Sequence, residues 1–385
     1  MKNDTLTDQG TLSILLVSAQ YLPHIGGVEK YTDSLSRELV RQGHRVTIVC
    51  SCPGDRTDLT VGALRIVRLP SLSFMGGRYP LLHRNDLFRR LETSLDSTHY
   101  DAVVVNTRFY PLSVWGARFA RRRGITPLVI EHGSAPLTMG GALTSTGVRA
   151  VERIMTRRLC RYDPVFAGVS QSASRWLTHF GIHTEDVLYN GVNYDAVDAC
   201  PPVELSAPAG TVKLLFAGRL LEQKGLLPLM IAVERLQKDF PVILFVAGEG
   251  PLRKTVEYAG EMVRYLGLLS FEQVIGTIRA TDIFCFPSIH PEGFGVAVIE
   301  AAACSSCVVA TVGGGTAEIL PDDSLAYRLT DAKPETIERA LREAIAHPEE
   351  AREKGVRLNA YVREHFNWQR TAGELVRLCK EAQSG

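Results

Sequence analysis

Short runs of Val, Ile and Leu alternate along the chain with amphipathic stretches of helical length, which is the rhythm of repeated strand-helix-strand units. In the first half the apolar runs predict strands at residues 12–19, 45–50, 102–106, 128–130, 165–168 and 187–189. Helices are predicted near 29–41, 87–95, 112–122, 148–160 and 172–180. Strands that are apolar on both faces need helices covering both sides of a parallel sheet. After Asn190-Gly191-Val192 the rhythm stops in a stretch rich in Pro and Ala from Cys200 to Gly210, and the domain boundary is predicted there. It resumes with strands near 212–217, 242–247, 283–286 and 308–311, each leaving into a turn that contains glycine. The pattern therefore predicts two α/β doubly wound domains, residues 1–198 and 199–366, followed by a last helical segment, 367–385. Ligands of such sheets bind beyond the carboxyl ends of the strands, so the chemistry is expected in a cleft between two sets of strand ends.

A chain of 385 residues exceeds what one hydrophobic core usually serves, in agreement with two domains. Hydrophobic residues at 45% and charged residues at 22% exclude a disordered chain. A formal charge of +1 supplies no global field for nucleic acid, and no nucleic-acid partner is expected. Positive charge is nevertheless concentrated in the first half: residues 65–123 hold eleven arginines against four acids, and Arg149, Arg153, Arg157, Arg158 and Arg161 follow. Such a face suits plain solvation as well as anionic lipid headgroups or a phosphorylated acceptor. The polar start of the chain has no apolar signal stretch and the eight cysteines are scattered, so a cytoplasmic location with reduced thiols is expected.

Three loops carry candidate chemistry. Pro23-His24-Ile25-Gly26-Gly27-Val28-Glu29 follows the first strand and opens a helix. The glycine pair suits an ordinary tight turn as well as a phosphate approaching the helix N-terminus. Gly218-Arg219 to Lys224-Gly225 is not a Walker loop, but it sets a guanidinium and an ammonium five residues apart, able to grip a diphosphate from two sides. In Ser288-Ile-His290-Pro-Glu292-Gly293-Phe294-Gly295-Val296 through Glu300, two carboxylates flank a glycine-bearing turn that opens a helix. Glu292 can take sugar hydroxyls, Glu300 can accept from a ribose diol, and the backbone of Gly293, Phe294, Gly295 and Val296 is free to donate to oxygens. No Asp-x-Asp or other metal-ligand spacing occurs in the sequence.

Gly26-Gly27, the Arg219 and Lys224 loop, Gly248-Glu249-Gly250-Pro251 and Glu292-Gly-Phe-Gly-x4-Glu300 occur in an order and spacing that resembles the family 4 retaining glycosyltransferases with the GT-B fold. The resemblance covers nearly the whole chain. It implies two Rossmann-like doubly wound domains facing a cleft, the first for the acceptor, the second for a nucleotide-sugar donor, and a last helix crossing back to the first domain. Carried over residue by residue, Arg219 and Lys224 bind the donor diphosphate, Gly26 and Gly27 approach it, Glu292 holds the transferring sugar and Glu300 the ribose. Gly248, Glu249 and Tyr265 line the base pocket, and His132 contacts the sugar or the transition state. The implied reaction is metal-independent front-face transfer with no cofactor, from a UDP-sugar first and GDP-mannose second. The acceptor is a glycan, a polysaccharide or a lipid-linked acceptor, reached by a cytoplasmic enzyme that can dock peripherally on the inner face of the membrane. Asn193 stands where the family often has Asp, and Gly313-Gly314-Gly315 carries one glycine more than its usual turn.

Two other readings share the two-domain plan. One is a nucleotide-sugar epimerase or phosphorylase, the latter needing a buried cofactor lysine. The other is a non-catalytic sugar-binding protein that closes on its ligand.

Overall fold

The computed structural model describes residues 10–24, 26–53, 59–74, 77, 79–136 and 142–384, and for residues 142–145 the backbone alone. The chain divides into two compact units, Met1–Leu188 with Trp368–Gly385, and Tyr189–Asn367.

In the first unit the strands are β1 (Ser13–Ser18), β2 (Arg45–Pro53), β3 (Leu59–Val61), β4 (Leu64–Leu72), β5 (Leu81–Leu82), β6 (Ala102–Asn106), β7 (Leu128–Glu131) and β8 (Val165–Gly168). They form one sheet in the order β3-β4-β2-β1-β6-β7-β8, with β5 on β4. The pairing is parallel except for β3 and β5, which run antiparallel to β4. Every residue of β1, β6 and β7 is buried, as expected of central strands covered on both faces. Helix Gly27–Arg41 buries Tyr31, Leu35 and Leu39, a spacing that sets them on one face. Helix Trp368–Ser384 packs in this unit, where Trp368 meets the Tyr31 ring edge-on at 5.2 Å.

The second unit carries β9 (Val212–Ala217), β10 (Val242–Ala247), β11 (Val263–Gly267), β12 (Ile283–Phe286), β13 (Cys307–Thr311) and β14 (Tyr327–Leu329). All are parallel, in the order β11-β10-β9-β12-β13-β14. Its core is built on Leu214, Phe216, Leu244 and Val309, all fully buried, with Leu229 and Val233 of helix Leu226–Leu236 packed on them. The strand order reverses between β9 and β12, and in the first unit between β1 and β6. At such a switch point the two following loops leave in opposite directions and open a crevice at the carboxyl ends.

Four expectations are corrected. The units part at Leu188 and Tyr189 rather than at 198, because residues 189–198 are tied into the second unit, where the Tyr194 hydroxyl donates to Val362 O at 2.7 Å and Arg363 donates to Asp198 at 2.6 Å. Residues 187–189 are not a strand: Val187 makes a single bridge to Gly168. The nine-residue strand β4 is additional, its half-buried Arg65 and Arg68 interrupting the apolar run that would have announced it. Strands β11 and β14 are additional too, both at sheet edges, where short and partly polar strands are the rule.

Candidate active site

In the second unit the loops after β9 and β12 meet at the switch point. Lys224, in the short 3-10 turn Glu222–Lys224, extends Nζ to Glu292 Oε1 at 2.6 Å. The same carboxylate oxygen accepts the Ser288 hydroxyl at 2.6 Å. Both charged side chains are part-buried, so their attraction is screened less than a surface pair's. The Phe286 ring lies 5.5 Å from the ammonium and supplies a further favourable contact.

This pair rests on interlocked backbone. Ile289 N donates to Gln223 O at 2.9 Å, which ties the Lys224 loop to the Glu292 loop. Gly225 has φ +74, and a Cβ there would stand 1.8 Å from Pro287 O, so both its conformation and its neighbour demand glycine. On the other side Gly315 N donates to Glu292 O at 2.8 Å, and a Cβ on Gly314, at φ +66, would reach 2.0 Å from the same oxygen. The extra glycine of the Gly313-Gly314-Gly315 turn therefore braces Glu292.

Arg219 is exposed, and its guanidinium makes no hydrogen bond or ion pair among the described residues. Gly293 to Gly295 lead into helix Val296–Ala303, with Phe294 buried and Gly295 at φ +105 as the residue before its first turn. Glu300 lies in the second half of that helix, four residues before Cys304, whose thiol is pushed up to about 12 by burial, with Arg279 opposing and Glu300 adding. Beyond β10, the Tyr265 hydroxyl reaches Gly248 O and Glu249 Oε1, both at 3.0 Å, and Glu249 also takes Arg253 at 3.1 Å.

In the first unit, Gly26 precedes helix Gly27–Arg41 with extended backbone. A Cβ on Gly26 would meet the Glu29 carboxylate at 2.3 Å, whereas one on Gly27 would meet nothing within 4 Å. Glu29 is buried and pairs with His24 at 3.1 Å. His132 follows β7: its Nε2 lies 2.8 Å from Asn106 Oδ1 at the end of β6, and its ring packs against the edge of Tyr31 at 4.8 Å. Burial lowers its pKa to about 3, so the ring is neutral at physiological pH.

Arg108 is a residue the sequence did not single out, since it passed as one member of the arginine-rich segment. Fully buried, it bonds Glu131 with one nitrogen and Glu152 at 2.5 Å with another, and lies over the Phe180 ring at 3.9 Å. Glu131 also accepts from Gly133 N at 2.7 Å, so both neighbours of His132 are tied into this buried ion group. Burial raises the Glu152 pKa, Arg108 opposing and Glu131 adding. Exposed Arg121 and half-buried Arg123 are tied to backbone carbonyls, donating to Tyr162 O at 2.7 Å and Asp96 O at 2.8 Å. They hold the fold rather than form an open cationic face. Among the described residues no group of three His, Cys, Asp or Glu side chains is disposed to hold a metal ion, and no helix is long and apolar enough to cross a membrane.

The geometry defines a two-unit α/β enzyme framework with paired charges at a switch point. Sucrose-phosphate synthase from Thermosynechococcus elongatus has the same fold, at TM-score 0.77 and 19% identity over 97% of this chain and 99% of that one. The family described as Glycosyltransferase Family 4 matches residues 25–196, and Glycosyl transferases group 1 matches residues 203–364. A GDP-mannose-dependent alpha-(1-6)-phosphatidylinositol dimannoside mannosyltransferase of Mycobacterium tuberculosis is 28% identical over 95% of each chain. A phosphatidyl-myo-inositol mannosyltransferase of Mycobacterium leprae is 24% identical over 92% of each chain. The chain belongs to the family 4-like glycosyltransferases of GT-B fold and is a hexosyltransferase.

Proposed function

We propose that this enzyme transfers a hexose, with retention of anomeric configuration and without a metal, from a nucleoside diphosphate sugar to a lipid-linked acceptor of the phosphoinositide type. The observation that carries the reading is the Lys224 to Glu292 pair at 2.6 Å, with exposed Arg219 on the same loop. An ammonium bonded to one carboxylate keeps two further N–H donors for a diphosphate, and Arg219 adds a second cation on the same loop. Glu292, held from two sides, is a preorganised acceptor for sugar hydroxyls. Glu300 takes the ribose, and the Gly248, Glu249 and Tyr265 region takes the base. In the first unit, Gly27 is assigned to the phosphate and His132 to the sugar.

In the reaction the acceptor oxygen attacks the anomeric carbon on the face from which the diphosphate departs. The carbon to phosphate-oxygen bond breaks, and the departing oxygen receives the acceptor's proton. Negative charge grows on the diphosphate, and preorganised cations are worth most where charge develops. Arg219 and Lys224 thus supply the electrostatic part of catalysis.

Uridine was the first expectation for the base; the GDP-mannose-dependent relative moves GDP-mannose ahead of it. The lipid acceptor is supported by the names of both mannosyltransferase relatives and by helix Ala142–Cys160. Val151 and Ile154 of that helix are exposed at 43% and 49%, beside exposed Arg153, Arg157 and Arg158. Aliphatic and cationic side chains together suit an anionic bilayer surface. The test is label transfer from GDP-mannose and a UDP-sugar panel to phosphatidylinositol-containing vesicles in EDTA. Labelled lipid with retained configuration is expected. Isomerised donor, or donor bound and left intact, would overturn the reading, and an absolute need for divalent metal would overturn its mechanism.

A further inference from the structure

His132 ends a chain of hydrogen bonds whose direction can be followed atom by atom. Thr32, in helix Gly27–Arg41, has a single hydroxyl proton, and Oγ1 lies 2.7 Å from Val28 O one turn back. That is the usual bond of a helical threonine. The Ser18 hydroxyl oxygen is also within reach of Thr32 at 3.4 Å, while Ser18 spends its own proton on Gln20 O at 2.8 Å. Whichever of the two takes the Thr32 proton, Thr32 is left with lone pairs toward Asn106. Asn106 Nδ2, 3.1 Å from Thr32 Oγ1, donates to it.

This fixes the amide, whose two ends are otherwise hard to tell apart. With Nδ2 on Thr32, it is Oδ1 that faces His132 Nε2 at 2.8 Å. A carbonyl oxygen only accepts, so the proton of the neutral imidazole sits on Nε2. Thr32 and Asn106 are both fully buried, so no bulk water offers the amide another partner. Turning it over would set its N–H donors on His132 and press two acceptors, Oδ1 and Oγ1, together unless Thr32 gave up its shorter bond.

We infer that Thr32 and Asn106 are positioning residues that hold His132 as the Nε2–H tautomer and so present Nδ1 as a hydrogen-bond acceptor. The tautomer stands on the bonds themselves; its use in transfer rests on the functional reading above. On that reading the substrate group that meets His132 is a donor, a hydroxyl of the transferred hexose, and not a phosphate or carboxylate oxygen. Nδ1 also has no proton to deliver to the leaving group. His132 therefore orients the sugar and does not act as an acid.

The experiment is long-range proton–nitrogen NMR on the full chain labelled with 15N at histidine, with His132 assigned by loss of its signals in His132→Gln. The wild type is expected to show a protonated Nε2 and an unprotonated Nδ1. Thr32→Val keeps the shape and deletes the hydroxyl, which frees the amide to turn, and is expected to move the ring toward Nδ1–H with a roughly tenfold loss of kcat/KM. Thr32→Ser restores both. Asn106→Asp, whose carboxylate only accepts, keeps Nε2–H and serves if Thr32→Val does not fold. A wild-type ring protonated on Nδ1, or an Asn106→Asp ring that abandons Nε2–H, would overturn the inference. An Nε2–H ring in a protein that transfers no sugar would support the tautomer and sink the functional reading instead.

Discussion

Lys224 Nζ and Glu292 Oε1 stand 2.6 Å apart, although their residues are separated by 68 positions and reach the same point from opposite sides of the β9/β12 switch. Two groups to which the proposed function gives separate roles toward the donor thus hold each other in place. Lys224→Ala and Glu292→Gln should each lower kcat/KM by ~10²–10³, the scale of losing one preorganised electrostatic contact. Because each side chain orients the other, the double variant should fall short of the product of the two losses. Lys224→Arg should not rescue, since a planar fork does not replace a compact ammonium. Steady-state kinetics on the four proteins of the cycle decides this.

Gly27, assigned to the donor phosphate in the proposed function, is a position where the fold itself tolerates a Cβ. A Cβ there meets no protein atom within 4 Å, whereas at Gly225 it would meet Pro287 O at 1.8 Å. Gly27→Ala should leave the melting temperature unchanged or slightly raised, alanine being the better helix residue, and should lower transfer at least ~10-fold. Gly225→Ala should lower both stability and activity. Calorimetry beside an assay tells the two apart.

The pKa of His132 is lowered by burial from 6.5 to about 3. Between those values the unfolded chain binds a proton that the folded chain refuses, so stability falls as pH falls. The contribution is complete above pH 6.5 and diminishes toward about 3, at up to ~1.4 kcal/mol per pH unit. His132→Gln removes this share. The loss of denaturation midpoint on going from about pH 7 to about pH 5 should be smaller in the variant than in the wild type.

The Arg108 ion group is structural in the same sense. Removing the guanidinium strands two buried carboxylates, Glu131 and Glu152, and Arg108→Met should cost ~3–5 kcal/mol. Adding Glu152→Leu removes one stranded charge and should recover part of that loss. Urea titrations with an unchanged slope are the measurement.

Much of this was legible in the sequence because it depends on local pattern. Strands β8, β10 and β12 announce themselves as unbroken apolar runs, and β6 and β9 as runs broken only at Asn106 and Lys213, since both faces of these strands are largely covered. Strand β4 did not, because half-buried Arg65 and Arg68 break its apolar run, one on each face, and the eye follows their charge. The Lys224 and Glu292 loops stand out because strand ends of parallel sheets collect glycine and charge. Asn106, Thr32 and Arg108 were invisible for the opposite reason. Asn106 reads as the last letter of an apolar strand and Thr32 as a helix interior, and only the pairing of β1 with β6 brings them together. A buried ion group is assembled from residues far apart in the chain, and no spacing rule reports it.

The most direct measurement is a 31P NMR titration of GDP into the full chain with EDTA present, repeated on Arg219→Ala/Lys224→Ala. Saturable shifts of both phosphorus resonances in the wild type, abolished in the double variant, are predicted. Shifts of equal size and affinity in the two proteins would contradict the assignment of these cations to the donor diphosphate.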